Sequence, residues 1–109
     1  KTKKGTFRIK IVKGDDPVMK GLEDFEIKDE LYYNLQMVPG VVPLATTEHE
    51  GKTWPVAWAR TYGQGRVFHT PLGHRDFGPG KDDPIRHPQL QKMIIQGVDW
   101  VAEGRQVAK

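Results

Sequence analysis

One helix must serve four or five strands, and this imbalance constrains the fold of the chain more than any other feature. Only the end of the sequence repeats its apolar residues at a helical period, with Leu90, Met93, Ile94, Gly97, Val98 and Val101 on one stripe. Pro88 suits the first turn of that helix and Gly104 its C-terminal stop. Everything upstream reads as strand and turn. Residues 6–12 alternate, Phe7, Ile9 and Ile11 on one face and Arg8 and Lys10 on the other. Asp15, Asp16 and Pro17 break that strand, and residues 18–22 read as a turn or a single helical turn ended by Gly21. Residues 24–35 begin like a strand at Phe25 and Ile27 and become ambiguous beyond Asp29. Further strands are expected at 41–47, 55–61 and 66–72, the first held to an edge or a strand start by Pro43. Together, residues 41–72 form an antiparallel meander. The chain thus divides into a basic tail (1–5), a strand-rich region (6–72), a Gly- and Pro-rich loop (73–86) and a helix (87–104).

A single helix covers one face of a sheet, and the other face still needs a layer. The apolar runs VVPLA and VFHTPL suggest strands buried on both sides, so something that should pack there is missing. At 109 residues the chain has room for one compact domain and not for two. It opens on Lys1 rather than Met, as an excised or processed piece would, although trimming looks the same.

Composition removes several chemistries. With no cysteine and no serine, disulfides, thiolate metal sites and Ser or Cys nucleophiles are excluded within the chain. Lys1, Lys3 and Lys4 account for the whole net charge of +3, and the other cations are interleaved with acids. A nucleic-acid surface needs clustered cations, so no nucleic-acid partner is expected. No apolar run approaches the roughly 18 residues of a membrane span, and no signal peptide is seen. The compartment stays open, because an absence of cysteine fits either side of a bacterial membrane.

Four places carry candidate chemistry. His74 follows the last strand and the Gly73 turn, at the strand end where ligand sites gather in open α/β sheets. The competing reading is a loop-capping histidine beside a solvated Arg75–Asp76 pair. Asp29 and Glu30, flanked by Ile27 and Leu31, cannot both face solvent in an extended segment. One must turn inward and find a partner such as a sugar hydroxyl, a metal, Arg60, Arg66 or backbone amides. Glu30 is the preferred functional member, with Tyr32 beside it. Trp54, before Pro55, is the aromatic platform candidate for a sugar ring, whereas Trp58 and Trp100 read as core. His49, His69, His74 and His87 with Asp76, Asp82 and Asp83 supply ligand types for a divalent metal, yet no compact chelating motif holds them; no cofactor is assigned. The residues 63–65 (GQG) read as a hairpin rather than a phosphate cradle.

Three strings in order resemble the ThuA-like, or trehalose-utilisation, family: DDPVMKGLEDFEIKDELYYNL (15–35), LATTEHEGKTWPVAWARTYGQGRVFHTPLGH (44–74) and GVDW (97–100). The resemblance runs from Phe7 to Gly104 and matches the family's later half. It implies a flavodoxin-like α/β core related to class I glutamine amidotransferases, here a partial sheet with an inserted antiparallel meander and one long C-terminal helix. The missing N-terminal half of the domain would then be the absent layer. In amidotransferases of that fold a His-x-Glu pair follows the corresponding strand; here the string is His74-Arg75-Asp76, with a shorter carboxylate. With the resemblance supporting the His74–Asp76 pair, the catalytic candidates are His74, Glu30 and Asp76, and the substrate-binding ones Asp29, Tyr32, Trp54 and Arg66. It implies a small carbohydrate of trehalose or keto-glycoside type as ligand, without glutamine amidotransferase activity. A non-catalytic sugar-binding or interaction module and a metal-dependent hydrolase are the alternatives. The isolated chain is expected to be inactive, and to be marginally stable or to self-associate through its exposed apolar sheet face.

Overall fold

The computed structural model describes residues 2–33, 40–63, 65–73 and 84–107. Five strands, β1 (Thr2–Ile11), β2 (Phe25–Tyr32), β3 (Val42–His49), β4 (Lys52–Tyr62) and β5 (Gly65–His69), precede a 3-10 turn (Pro84–Arg86) and one helix, α1 (Pro88–Val107). They form one sheet in the order β2-β1-β3-β4-β5, every pairing antiparallel. The expected meander over 41–72 is β3-β4-β5, while β1 and β2 form a second antiparallel unit beside it. A flavodoxin-like core is built on parallel strands, and none of the described pairings is parallel. Among the described residues no helix is long and apolar enough to cross a membrane.

The curl of the sheet begins in β1. Residues 2–9 of this strand pair with β2, and only Lys10 and Ile11 pair with β3. The Thr47 hydroxyl donates to the Arg8 carbonyl at 2.8 Å and extends the β1–β3 seam beyond its short ladder. Two register shifts in the β3–β4 ladder, between Pro43 and Ala45 and between Ala45 and Thr46, add to the bend. Both strand prolines sit where they cost little. Pro43 has no ladder partner in β1 and Pro55 none in β5, so each lacks a neighbour on one side.

The inner face of the sheet carries the core. Phe7 and Ile9 from β1, Phe25, Ile27 and Leu31 from β2, and Leu44, Ala45, Val56, Ala57 and Ala59 from β3 and β4 are buried against Leu90 and Met93 of α1. The segment between β1 and β2 adds Val18, Met19 and Leu22 as a plug. An Asp16 carboxylate accepting the Val18 N–H at 2.9 Å shapes this turn, and Lys92 of α1 donates to the Gly21 carbonyl at 3.3 Å. His87 caps the helix: its Nδ1 accepts the Gln89 N–H at 3.1 Å and its Nε2 contacts the Glu26 carbonyl at 2.9 Å. This tautomer keeps Nε2 as the donor.

Several expectations need correction. The strand starts at Thr2, so residues 2–5 extend β1 instead of forming a tail. The ladder of β5 stops at His69, and Thr70 leaves it to donate its hydroxyl to the Val56 carbonyl at 2.6 Å. Gly104 does not end α1, which continues to Val107. Val98 leaves the buried stripe, because the helix docks through Leu90, Met93 and Gly97, and Val98 stands off that line with 62% of its surface exposed. The two apolar runs are not buried on both sides. Val42 and Val67 are exposed, and β5 is half-buried at alternate residues only, as one-sided packing requires.

Candidate functional site

Strand alternation takes Asp29 inward. Phe25, Ile27, Asp29 and Leu31 share the buried face of β2, so a carboxylate occupies a place in an apolar run. Gly5 lies opposite it in register and puts no side chain in its way. Asp29 is wholly buried, with 0% of its surface exposed. Its Oδ1 accepts the Glu30 N–H at 2.7 Å and its Oδ2 accepts the Gly73 N–H at 2.8 Å. Charge-assisted bonds of this kind offset part of the cost of burying a carboxylate.

The Gly73 bond is the long-range one. Gly73 lies four residues beyond β5, at the far edge of the sheet order, yet it reaches β2 because the sheet curls. Its φ of 100° lies in a region that glycine alone adopts readily. A Cβ placed there would stand 3.4 Å from Ile85 and 3.7 Å from Leu90, so the backbone is enclosed by the 3-10 turn and the start of α1. Asp29, Leu72 and Leu90 therefore fix the point from which the chain leaves toward His74. His74 and Asp76 themselves lie outside the described residues.

The other candidates fall elsewhere. Glu30 and Tyr32 occupy the opposite face of β2, with Lys4 and Thr2 as their register partners in β1. Asp29, and not the preferred Glu30, is the acid that turned inward. Trp54 is not at a loop edge but inside β4. Its indole N–H donates to the His49 carbonyl at 3.0 Å, and its ring lies 5.4 Å from that of Tyr33. Arg66 is engaged with the helix: its Nη1 donates to the Trp100 carbonyl at 3.0 Å and its guanidinium lies 5.0 Å from the Trp100 ring centroid. His69 stacks on Trp58, rings 4.7 Å apart and 13° from parallel, on the outer face of the sheet. Among the described residues no three histidine or acidic side chains converge as a metal would require.

Sequence reasoning missed an aromatic cluster at the end of the β3–β4 hairpin. Tyr33 meets the His49 ring at 4.8 Å and the Trp54 ring at 5.4 Å, and Phe7 meets His49 at 6.0 Å. Desolvation among these rings, and secondly the Glu50 carboxylate that accepts its hydrogen bond, raise the Tyr33 phenol above its ordinary 10.0. Glu50 also lies 3.7 Å from His49 Nε2. The signal was available in the string YY…TEHEGKTW, but only the strand register brings its two halves together.

A curled antiparallel sheet closed by one helix, with a buried carboxylate gripping the loop beyond the last strand, defines a mixed domain built mostly of strands. The model of the trehalose utilisation family, ThuA, matches residues 1–101, and the chain belongs to that family. Comparison with curated proteins and with solved structures gives no match. Family membership ties the chain, broadly, to trehalose utilisation.

Proposed function

We propose that this chain forms part of a carbohydrate-processing domain, acting on a trehalose-like or keto-glycoside ligand, in which His74 moves the proton. The observation that supports the reading is the bond from the buried Asp29 carboxylate to the Gly73 amide, one residue before His74. A carboxylate spent on backbone amides anchors the loop, and an anchored loop is what an acid–base imidazole needs for reproducible geometry. In this reading Asp29 is a positioning residue, Asp76 orients the imidazole, and Glu30, across the ladder from Lys4, serves the outer charge pattern of the sheet. No amidotransferase step is proposed, because the chain contains neither cysteine nor serine. The domain is completed, on this proposal, by a flavodoxin-like half whose elements cover the exposed stripe of α1.

The test uses the full-length protein with trehalose and a keto-glycoside as probes. His74→Ala is expected to abolish turnover while sparing ligand binding. Asp29→Asn is expected to lower kcat more than it raises KM. Turnover by His74→Ala at the wild-type rate would remove the catalytic reading and leave a sugar-binding module.

A further inference from the structure

The outer face of the sheet, opposite Asp29, holds a groove of about 580 Å³ where β1 turns from β2 to β3. That volume lies within the roughly 300–1,000 Å³ of small-molecule sites. Strand alternation and register place its walls on one face. Arg8 and Lys10 are alternate residues of β1, Lys10 is opposite Thr46 of β3, and Glu48 is opposite Thr53 of β4. Residues two apart on a strand stand roughly 7 Å from each other, which suits two cations closing on one acidic group.

Two groove members are already engaged. Asp24 Oδ1 accepts the Ile11 N–H at 2.8 Å, and the Thr47 hydroxyl donates to the Arg8 carbonyl at 2.8 Å. Among the described residues, Arg8, Lys10 and Glu48 form no ion pair, although Glu26 faces Arg8 across the β1–β2 ladder. The groove therefore presents two cations, the Glu48 carboxylate, the second oxygen of the Asp24 carboxylate and the hydroxyls of Thr46 and Thr53. We infer that it binds a small polyhydroxylated anion, its acidic group between Arg8 and Lys10 and its hydroxyls against Thr46, Glu48 and Thr53. A flat solvated strand face would scatter these groups; the bend at Lys10 makes them converge. The inference does not depend on the role proposed for His74.

Calorimetric titration of the 109-residue chain at low ionic strength tests it, with glucose 6-phosphate, gluconate, glucose and inorganic phosphate as separate probes. Millimolar binding of at least one anionic sugar is expected, about tenfold tighter than glucose or phosphate alone. The preferred anionic sugar identifies the acidic group as phosphate or carboxylate. Arg8→Gln and Lys10→Gln should each weaken that binding about tenfold. Phosphate binding as tightly as the sugar phosphate would reduce the groove to an anion patch and overturn the inference. Equal binding of glucose would overturn it too, as would indifference to both cation substitutions. Both positions are on the exposed strand face, and circular dichroism of the variants separates lost binding from lost fold.

Discussion

At Asp29 one carboxylate satisfies two backbone amides in a place where water cannot reach. Replacing it by alanine leaves both N–H groups without this acceptor and opens space inside the sheet. Asp29→Ala is expected to cost about 2–4 kcal/mol of unfolding free energy, measured by urea titration, with Asp29→Asn costing less because one acceptor oxygen survives. Tyr33 makes a pH-dependent contribution of known sign. Its phenol ionises at higher pH in the folded chain than in the unfolded one, so its stabilisation is complete below pH 10.0 and is lost as pH rises through the folded value. Melting curves above pH 10.0 should therefore fall more steeply for the wild type than for Tyr33→Phe. The sequence showed that one of Asp29 and Glu30 must face inward, but not which. That choice follows from the phase of β2, and the apolar signal becomes ambiguous at those two residues.

At the scale of single elements, α1 was the most legible because its apolar period continues through several turns. Its contact with the sheet was less so. Gly97 lies directly over the Phe68 ring, and a Cβ there would be driven into the ring carbons. Alanine would gain about 1 kcal/mol of helix propensity, while overpacking against the ring costs about 1–3 kcal/mol. Gly97→Ala is therefore expected to lower the melting temperature, and the loss should shrink in a Phe68→Ala background if the ring is its cause. The strands were recognisable by alternation, although their ends were not. Residues 2–5 are polar and look like a tail until β2 supplies a partner, and Thr70 leaves β5 through a hydroxyl bond that no periodicity reveals. Trp54 shows the same limit. A residue before proline looked like the end of a loop, whereas the β3–β4 ladder continues two pairs beyond it, to His49 and Lys52.

For the molecule as a whole, neither the strand order nor the curl was readable, because both rest on pairings between residues distant in sequence. The order β2-β1-β3-β4-β5 places the last strand at the edge away from β2, and only the bend brings Gly73 back to Asp29. The expectation of an uncovered apolar surface is relocated instead of lost. Ile95 and Val98 are each 62% exposed on α1, beside an apolar groove of about 310 Å³ formed with Phe68 and Val101. Sedimentation of the isolated chain should show association that weakens in Val98→Glu, since a carboxylate on that stripe opposes burial.

The division of labour within β1 has a mechanical result. With residues 2–9 given to one neighbour and only Lys10 and Ile11 paired with the other, the sheet behaves as two ribbons held by a short stitch: two ladder pairs, the Val12 amide on the Leu44 carbonyl and the Thr47 hydroxyl on the Arg8 carbonyl. Shear concentrates on that stitch, so the ribbons should part there before either frays. Amide exchange at Val12, whose N–H is held across the stitch by the Leu44 carbonyl, should then outpace exchange in the middle of each ribbon. The Asp29–Gly73 bond, tying the outer strand of one ribbon to the chain just beyond the outer strand of the other, is the fastening that delays this opening.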